Sequence, residues 1–283
     1  MSALVLFDDH IHSRLSSDGK DTVDDLCRAA LERGLSGICI TDHFDTDPTD
    51  YGYGAYDFDR LLREVEAARR RYGGQLELRI GAEICFQVEF APRVEAFLRA
   101  CAPDFVLGSA HYVRREFVDS AYFRRRRPYD AYEGYLGAVE EVVASGLFDS
   151  LGHLDLAKRY GARVYGAFDP EPHEERIERI LRLLVRQGMA LEVNTSGWRQ
   201  APGEPFPGEH ILRRYAQLGG ERITIGSDAH QAADVGCDVA RAYALARRAG
   251  LTQVTRFAQR SPESFPLPHV CPDLSTSSTL ARG

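Results

Sequence analysis

The sequence predicts an α/β fold, most simply a closed barrel of about seven parallel strands wrapped by helices. Three observations carry that prediction. Seven short apolar, β-branched runs recur along the 283 residues. Amphipathic stretches lie between them, and several of those finish in glycine, the residue that most readily takes the left-handed conformation ending a helix. Strand and helix in strict alternation require right-handed crossovers, and therefore parallel strands buried on both faces. An open, doubly wound sheet is the second architecture that fits the pattern.

In chain order the strand runs are ALVLFDDH, LSGICITDH, LELRIGAEI, DFVLGSAH, FDSLGHLD, MALEVNTS and RITIGSDAH. The stretches TVDDLCRAALERG, YDFDRLLREVEAARRRYGG, PRVEAFLRACA, YDAYEGYLGAVEEVVASG, EERIERILRLLVRQG and GEHILRRYAQLGG space their apolar residues as helices do. Residues 114–128, RREFVDSAYFRRRRP, read as a loop over the strand ends. Their arginines, Arg124 to Arg127, read first as solvated surface, with a phosphate or nucleic-acid contact as the alternative. No Pro/Ser/Gly linker and no internal repeat divides the chain, so one domain is expected over residues 1–265. The polar, aperiodic remainder, 266–283, is expected to be a mobile tail.

Composition narrows the function. With 44% hydrophobic residues the chain can bury a large core. Thirty-five basic against 42 acidic side chains leave 35 − 42 = −7, which argues against a nucleic-acid surface. The opening MSALVLF lacks a basic leader, and no run approaches the roughly 18 apolar residues of a membrane span. A soluble, cytoplasmic protein without a membrane partner is expected. Cys27, Cys39, Cys85, Cys101, Cys237 and Cys271 form no C-x-x-C pair and read as core filler. Cys85 is the one to watch, because strand alternation would put it on the face of Glu83.

Position makes the histidines informative. Six of nine stand at the C-terminal ends of expected strands: His10 and His12, His43, His111, His153 and His230. Glu83 and Asp228 share such positions, and Asp18 follows the first strand closely. His173, His210 and His269 fall outside the pattern and are assigned to the surface. In a parallel barrel all these ends meet at one mouth. A lone strand-end histidine is usually a hydrogen-bonded structural residue, and Asp228 alone could cap a helix. Converging imidazoles without partners are costly, because each buried ring needs hydrogen bonds and charged rings repel. Neutral imidazoles with carboxylates suit Zn²⁺, Fe²⁺ or Mn²⁺, and His10 and His12, two apart on a strand, point the same way. The six imidazoles and three carboxylates exceed one ion's needs, so two to three divalent ions are expected. Clustered divalent ions fit phosphoester hydrolysis best.

In order, DHIHSRLSSDG, ITDHFD, GAEICF, LGSAHYV, SLGHLDLAKRYG, EVNTSGWR and TIGSDAH resemble the metal-binding motifs of the PHP (polymerase and histidinol phosphatase) superfamily, and most of all its stand-alone histidinol-phosphatases. The resemblance implies a distorted (β/α)7 barrel with its metal site at the C-terminal strand ends. It implies a first metal on His10, His12, Glu83 and Asp228, a second on Glu83, His111 and His153, and a third on Asp18, His43 and His230. Asp18 stands where many members carry another histidine. Arg159 and Arg199 would contact the substrate phosphate, for which a guanidinium fork is well shaped. Asn194 would bond a ligand or brace its loop, and Trp198 would wall the pocket or pack.

The activity so implied is hydrolysis of L-histidinol phosphate to L-histidinol and phosphate, a step of histidine biosynthesis. Metal-bound hydroxide would attack, with no protein nucleophile. The partner is then a small phosphorylated substrate, and Asp45 and Asp47 are candidates to receive its ammonium. Two alternatives are a PHP-type phosphoesterase or nuclease acting on nucleotides or DNA ends, and a non-catalytic, metal-stabilised PHP module. An amidohydrolase barrel also opens with H-x-H, but DFVLGSAH lacks the bridging lysine that scheme needs.

Overall fold

The computed structural model describes residues 5–268. Its strands are β1 (Phe7–Ile11), β2 (Gly37–Ile40), β3 (His43–Asp45), β4 (Glu77–Cys85), β5 (Phe105–Ser109), β6 (Tyr112–Val113), β7 (Glu116–Phe117), β8 (Ser150–Leu151), β9 (Ala190–Asn194), β10 (Ile223–Gly226), β11 (Gln253–Ala258) and β12 (Ser261–Pro266). Seven of them stand side by side and parallel in the order β1-β2-β4-β5-β8-β9-β10. These seven are the runs expected from sequence. The ends of β10 and β1 then meet: Asp228 N–H donates to His10 O and His12 N–H to Ala229 O, each at 2.8 Å. A nearly closed, distorted barrel results.

Two irregularities matter for the mouth. The register of β1 on β2 shifts between Asp8 and Ile11, just before His12. Beyond β2, the partner of β4 breaks at Thr41–Asp42 and resumes as β3, which places His43 in register beside Glu83. Both devices turn side chains at the strand ends into the barrel mouth.

The helices are α1 (Val23–Glu32), α2 (Phe58–Tyr72), α3 (Ala91–Ala100), α4 (Ser120–Arg124), α5 (Pro128–Ser145), α6 (Lys158–Tyr165), α7 (Glu174–Gln187), α8 (Glu209–Gln217) and α9 (Val239–Arg248). Local sequence sets their ends. Thr22 and Asp25 form a capping box that satisfies the first amides of α1, and Gly146 and Gly188, both left-handed, close α5 and α7. Ile177, Ile180, Leu181 and Leu184 are the buried stripe of α7, at the spacing of one helix face. No helix among the described residues is long and apolar enough to cross a membrane.

An antiparallel hairpin, β11 with β12, was not among the expected strands. Gln259 and Arg260 form its two-residue turn with positive φ at both positions, the geometry that matches strand twist. The hairpin packs across the N-terminal end of the barrel. Fully buried Arg256 grips Asp9, with Nη2 2.7 Å from Oδ1, and Phe257 stacks on Phe105 with ring centroids 5.4 Å apart. Pro266 closes β12, and the buried Leu267 donates its N–H to Thr252 O. The first residues of the expected tail are thus held in the fold. The rest of that tail, with His269 and Cys271, lies outside the described residues.

His173 is not a surface residue as expected from sequence. It is buried, with Nδ1 2.9 Å from Glu133 Oε1, because the turn Glu171–His173 that leads into α7 lays the imidazole against α5. His210 is exposed. Cys27, Cys39 and Cys85 are buried and free, as filler should be, whereas Cys101, at the end of α3, and Cys237, in the loop before α9, are free but only half-buried and so are not core filler.

Candidate metal centre

Glu83, near the end of β4, is the centre of the mouth. Its Oε2 lies 3.1 Å from His10 Nε2, 3.4 Å from His12 Nε2 and 3.2 Å from His43 Nδ1. Its Oε1 lies 2.8 Å from His153 Nε2 and 3.5 Å from His111 Nε2, and accepts a hydrogen bond from Ser109 Oγ at 2.6 Å. The two oxygens of one carboxylate thus face different groups of imidazoles. Asp228 Oδ1 approaches His10 and His12 at 3.6 and 3.5 Å.

Asp18 reaches the site because its loop doubles back. Arg14 N–H donates to Asp21 O and Lys20 N–H to His230 O, and Gly19 passes so close to Ser13 that a Cβ there would lie 1.9 Å from its carbonyl oxygen. Asp18 Oδ2 then lies 3.0 Å from His230 Nε2 and 3.5 Å from His43 Nε2. A second close approach seats His10: a Cβ at Gly226 would lie 2.3 Å from His10 Cβ. Asp228 itself has φ 55°, a conformation costly for a non-glycine residue and concentrated at functional sites.

Three clusters could hold an ion. His10, His12 and Glu83 form one, and Glu83, His111 and His153 another. The third is His12, Asp18, His43 and His230. His12 therefore belongs to two clusters, with its ring stacked on His43 and His230 at centroid distances of 4.4 and 4.2 Å. No cysteine joins any of these clusters among the described residues.

The electrostatics suit cations. Burial would raise the carboxyls of Glu83 and Asp228, but the imidazoles around them hold both well below their ordinary range. Burial would likewise lower His43, yet Glu83 and Asp18 push it up to about 10. Burial and neighbouring imidazoles lower His12 to about 3. Ionised carboxylates thus sit among rings that split between charged and neutral forms. The ring nitrogens of His10 and His12 face each other at 3.0 Å, and His12 Nδ1 and His153 Nδ1 are buried without a partner. Facing nitrogens beside ionised oxygens are the donor set that divalent transition metals take.

A cavity of about 610 Å³ opens above this cluster. Arg159 and Arg199 line it, from the segments after β8 and β9. Arg159 Nε is buried without a partner, whereas Arg199 Nη2 donates to Ser227 O at 2.7 Å. Residues 8–196 match the PHP domain.

The chain belongs to the PHP domain family.

This PHP protein is similar to a probable histidinol-phosphatase of Deinococcus radiodurans, 34% identical over 262 residues that span 88% of this chain and 96% of the relative. It is 27% identical to a histidinol-phosphatase of Lactococcus lactis over 258 residues, 89% of this chain and 94% of that one. Among solved structures, the histidinol phosphate phosphatase of Lactococcus lactis complexed with zinc, L-histidinol and phosphate aligns with a TM-score of 0.85 at 26% identity, covering 92% of this chain and 99% of that chain.

Sequence reasoning missed Glu192 on β9 of the PHP barrel. Its Oε1 lies 2.6 Å from His10 Nδ1, and its Oε2 accepts the backbone N–H of His153 at 2.7 Å. One signal was present: Glu192 and Asn194 are two apart on the buried β9 and so share a face. Asn194 braces, donating to Glu192 and Asp228 while accepting from the Ser196 amide and hydroxyl.

Trp198 packs against the core under the Arg241 guanidinium, 4.2 Å from its ring centroid, and does not wall the cavity. In the arginine run, Arg125 and Arg126 both pair with Glu116, and Arg126 also covers the Tyr122 ring. Asp45 lines the cavity. Asp47 does not. The Arg115 guanidinium takes both its oxygens at 3.0 Å, which removes it as a receiver of substrate charge.

Proposed function

We propose that this PHP protein is a metal-dependent phosphomonoesterase that hydrolyses L-histidinol phosphate to L-histidinol and phosphate, a step of histidine biosynthesis. One observation carries the reading: Glu83 turns one oxygen to His10, His12 and His43 and the other to His153 and His111, at the base of a cavity that Arg159 and Arg199 line. The similarity to histidinol-phosphatases over most of the chain supports it.

His10, His12, Glu83 and Asp228 would hold one ion, Glu83, His111 and His153 a second, and Asp18, His43 and His230, with His12 beside them, a third. The donor set suits zinc, iron or manganese, two to three ions per chain. Bound there, such ions would supply positive charge for phosphoryl oxygens and would make a neighbouring water more acidic.

The chain's own residues do the rest. Arg159, with an unpartnered Nε, would take a phosphoryl oxygen of the ester, and Arg199 would brace the same group from the segment after β9. Ser196 is the serine of the cavity, and its hydroxyl already donates to Asn194 Oδ1 at 2.7 Å. The carboxylate nearest that hydroxyl, Asp228 at 3.3 Å, is a proposed metal ligand, and among the described residues of the cavity no other serine or cysteine has a base beside it, which supports water as the nucleophile with inversion at phosphorus. The free buried thiols accord with a cytoplasmic setting. We read the barrel and its β11–β12 hairpin as one catalytic domain, whose boundary lies past residue 265 because Leu267 is still held in the fold.

Steady-state phosphate release from L-histidinol phosphate, nucleoside monophosphates and 3′-phosphorylated oligonucleotides under one metal condition tests the reading. The highest kcat/KM is expected on L-histidinol phosphate. Equal or better turnover of the nucleotides or oligonucleotides would move the protein to the nuclease-like members.

A further inference from the structure

Six carboxylates line the cavity: Asp18, Asp45, Asp50, Glu83, Asp228 and Asp234. Five of them are engaged. Asp18, Glu83 and Asp228 face the imidazoles, as described. Asp50 accepts the Tyr112 hydroxyl at 2.5 Å and the Gly52 N–H at 2.8 Å, and Asp234 accepts the Gln231 amide at 2.9 Å. Asp45, at the end of β3, has no hydrogen-bond donor and no ion-pair partner among the described residues, although it is only 9% exposed. A carboxylate in that position has lost most of its water and, apart from the charge of His43 two residues away, has gained no direct partner in exchange.

The surroundings say what would satisfy it. The loop after β3 folds over Asp45 so tightly that a Cβ at Gly52 would lie 2.1 Å from Asp45 Oδ2. That close approach leaves little room beside the carboxylate, which suits a compact head with several N–H donors better than a broad guanidinium. Arg159 and Arg199 reach the same cavity from the segments after β8 and β9. One mouth thus offers cationic side chains at one set of strand ends and an unpaired anion at another. A ligand that answers both carries a phosphate and a primary ammonium. Tyr51, Tyr112, Phe117 and Tyr160 also line the space, aromatic company that suits a flat aromatic group.

We propose that Asp45 is a specificity-determining residue that receives the primary ammonium of the phosphate ester. The proposal deepens the reading above and rests on it, since the ester it names is L-histidinol phosphate. Asp45 acts in binding the alcohol half, not in attack on phosphorus.

The test is a cycle of two changes. Metal-loaded wild type and Asp45→Asn are each assayed with L-histidinol phosphate and with imidazolylpropyl phosphate, the same ester without its amine, and metal content is measured on the same samples. Wild type is expected to prefer the amine, and the variant to lose about tenfold to a hundredfold of that preference in kcat/KM, the scale of one hydrogen bond to a charged group. Gly52→Ala, which would crowd Asp45 from outside with its new Cβ, is expected to produce the same selective loss and carries the test if the first variant fails to fold. An unchanged preference, an equal loss on both esters, or a fall in metal content with the loss would overturn the role of Asp45 while leaving the phosphatase reading in place. A wild type inactive on both esters would overturn that reading, and this one with it.

Discussion

Glu192 Oε1 lies 2.6 Å from His10 Nδ1, on the opposite edge of the ring from the nitrogen that faces Glu83. A carboxylate in that place holds the ring's Nδ1 proton and leaves Nε2 with a free lone pair directed at the cluster. Its other oxygen accepts the His153 amide, so one side chain fixes a member of each of two clusters.

Glu192→Gln is therefore expected to weaken metal binding about tenfold to a hundredfold, the usual cost of losing the partner behind a metal-binding histidine. Titration against a chelator of known affinity checks it. Equal affinity in the variant would show that Glu192 only fills the barrel.

Glu83→Gln should be the most damaging single change at the site. Both oxygens of Glu83 face imidazoles, and a neutral amide presents an N–H to at least one of those groups. Loss of bound metal together with turnover is expected, read by elemental analysis and phosphate release. Wild-type metal content and turnover in the variant would contradict the assignment.

Arg159→Ala and Arg199→Ala are expected to keep their metal while kcat/KM falls roughly tenfold to a thousandfold, the scale of a charge-assisted phosphoryl contact. The larger effect should fall on Arg159. Arg199 is already held by Ser227 O, whereas Arg159 Nε has no partner among the described residues. Metal loss in either variant would point to a structural role.

The pH dependence of metal binding follows from His43. Its ordinary value is 6.5, and although burial opposes it, Glu83 and Asp18 raise it to about 10. A raised value means that the metal-free protein keeps this proton through neutrality, so an arriving cation must expel it. Apparent metal affinity should rise with pH throughout the range below about 10, where the metal-free imidazole keeps its proton, and then level. Calorimetry in two buffers of different ionisation enthalpy reads the released proton. A buffer-independent heat and a flat affinity would contradict the expectation.

At the other end of the barrel, Arg256→Met should destabilise the fold without touching the mouth. Arg256 is fully buried and bonds both oxygens of Asp9, so removing it strands a buried carboxylate. A loss of about 3 to 5 kcal/mol is expected, measured by denaturant unfolding. A loss below about 1 kcal/mol would show that water or another donor replaces the guanidinium.

By itself the amino-acid sequence determined the order of seven strands and the residues at their ends, because both are local. Alternation puts His10 and His12 on one face, and parallel strands of similar length must end together. The hairpin β11–β12 escaped because QVTRFAQRSPESFP has no glycine or asparagine at its turn, the usual signal for positive φ at two successive residues. Which end groups touch, and which partners stand behind them, only the tertiary structure decided. His10 and Glu192 are 182 residues apart, and barrel closure sets their separation. The same holds for His12, which lies within reach of two clusters because β1 shifts register and the Asp18 loop doubles back. Asp45 and Asp47 look equivalent in DHFDTD. They part only in three dimensions, where Arg115, 68 residues beyond Asp47, takes one carboxylate and leaves the other unpaired in the cavity. Periodicity assigns a face. Pairing across the barrel depends on closure and loop paths, which no local window of sequence contains.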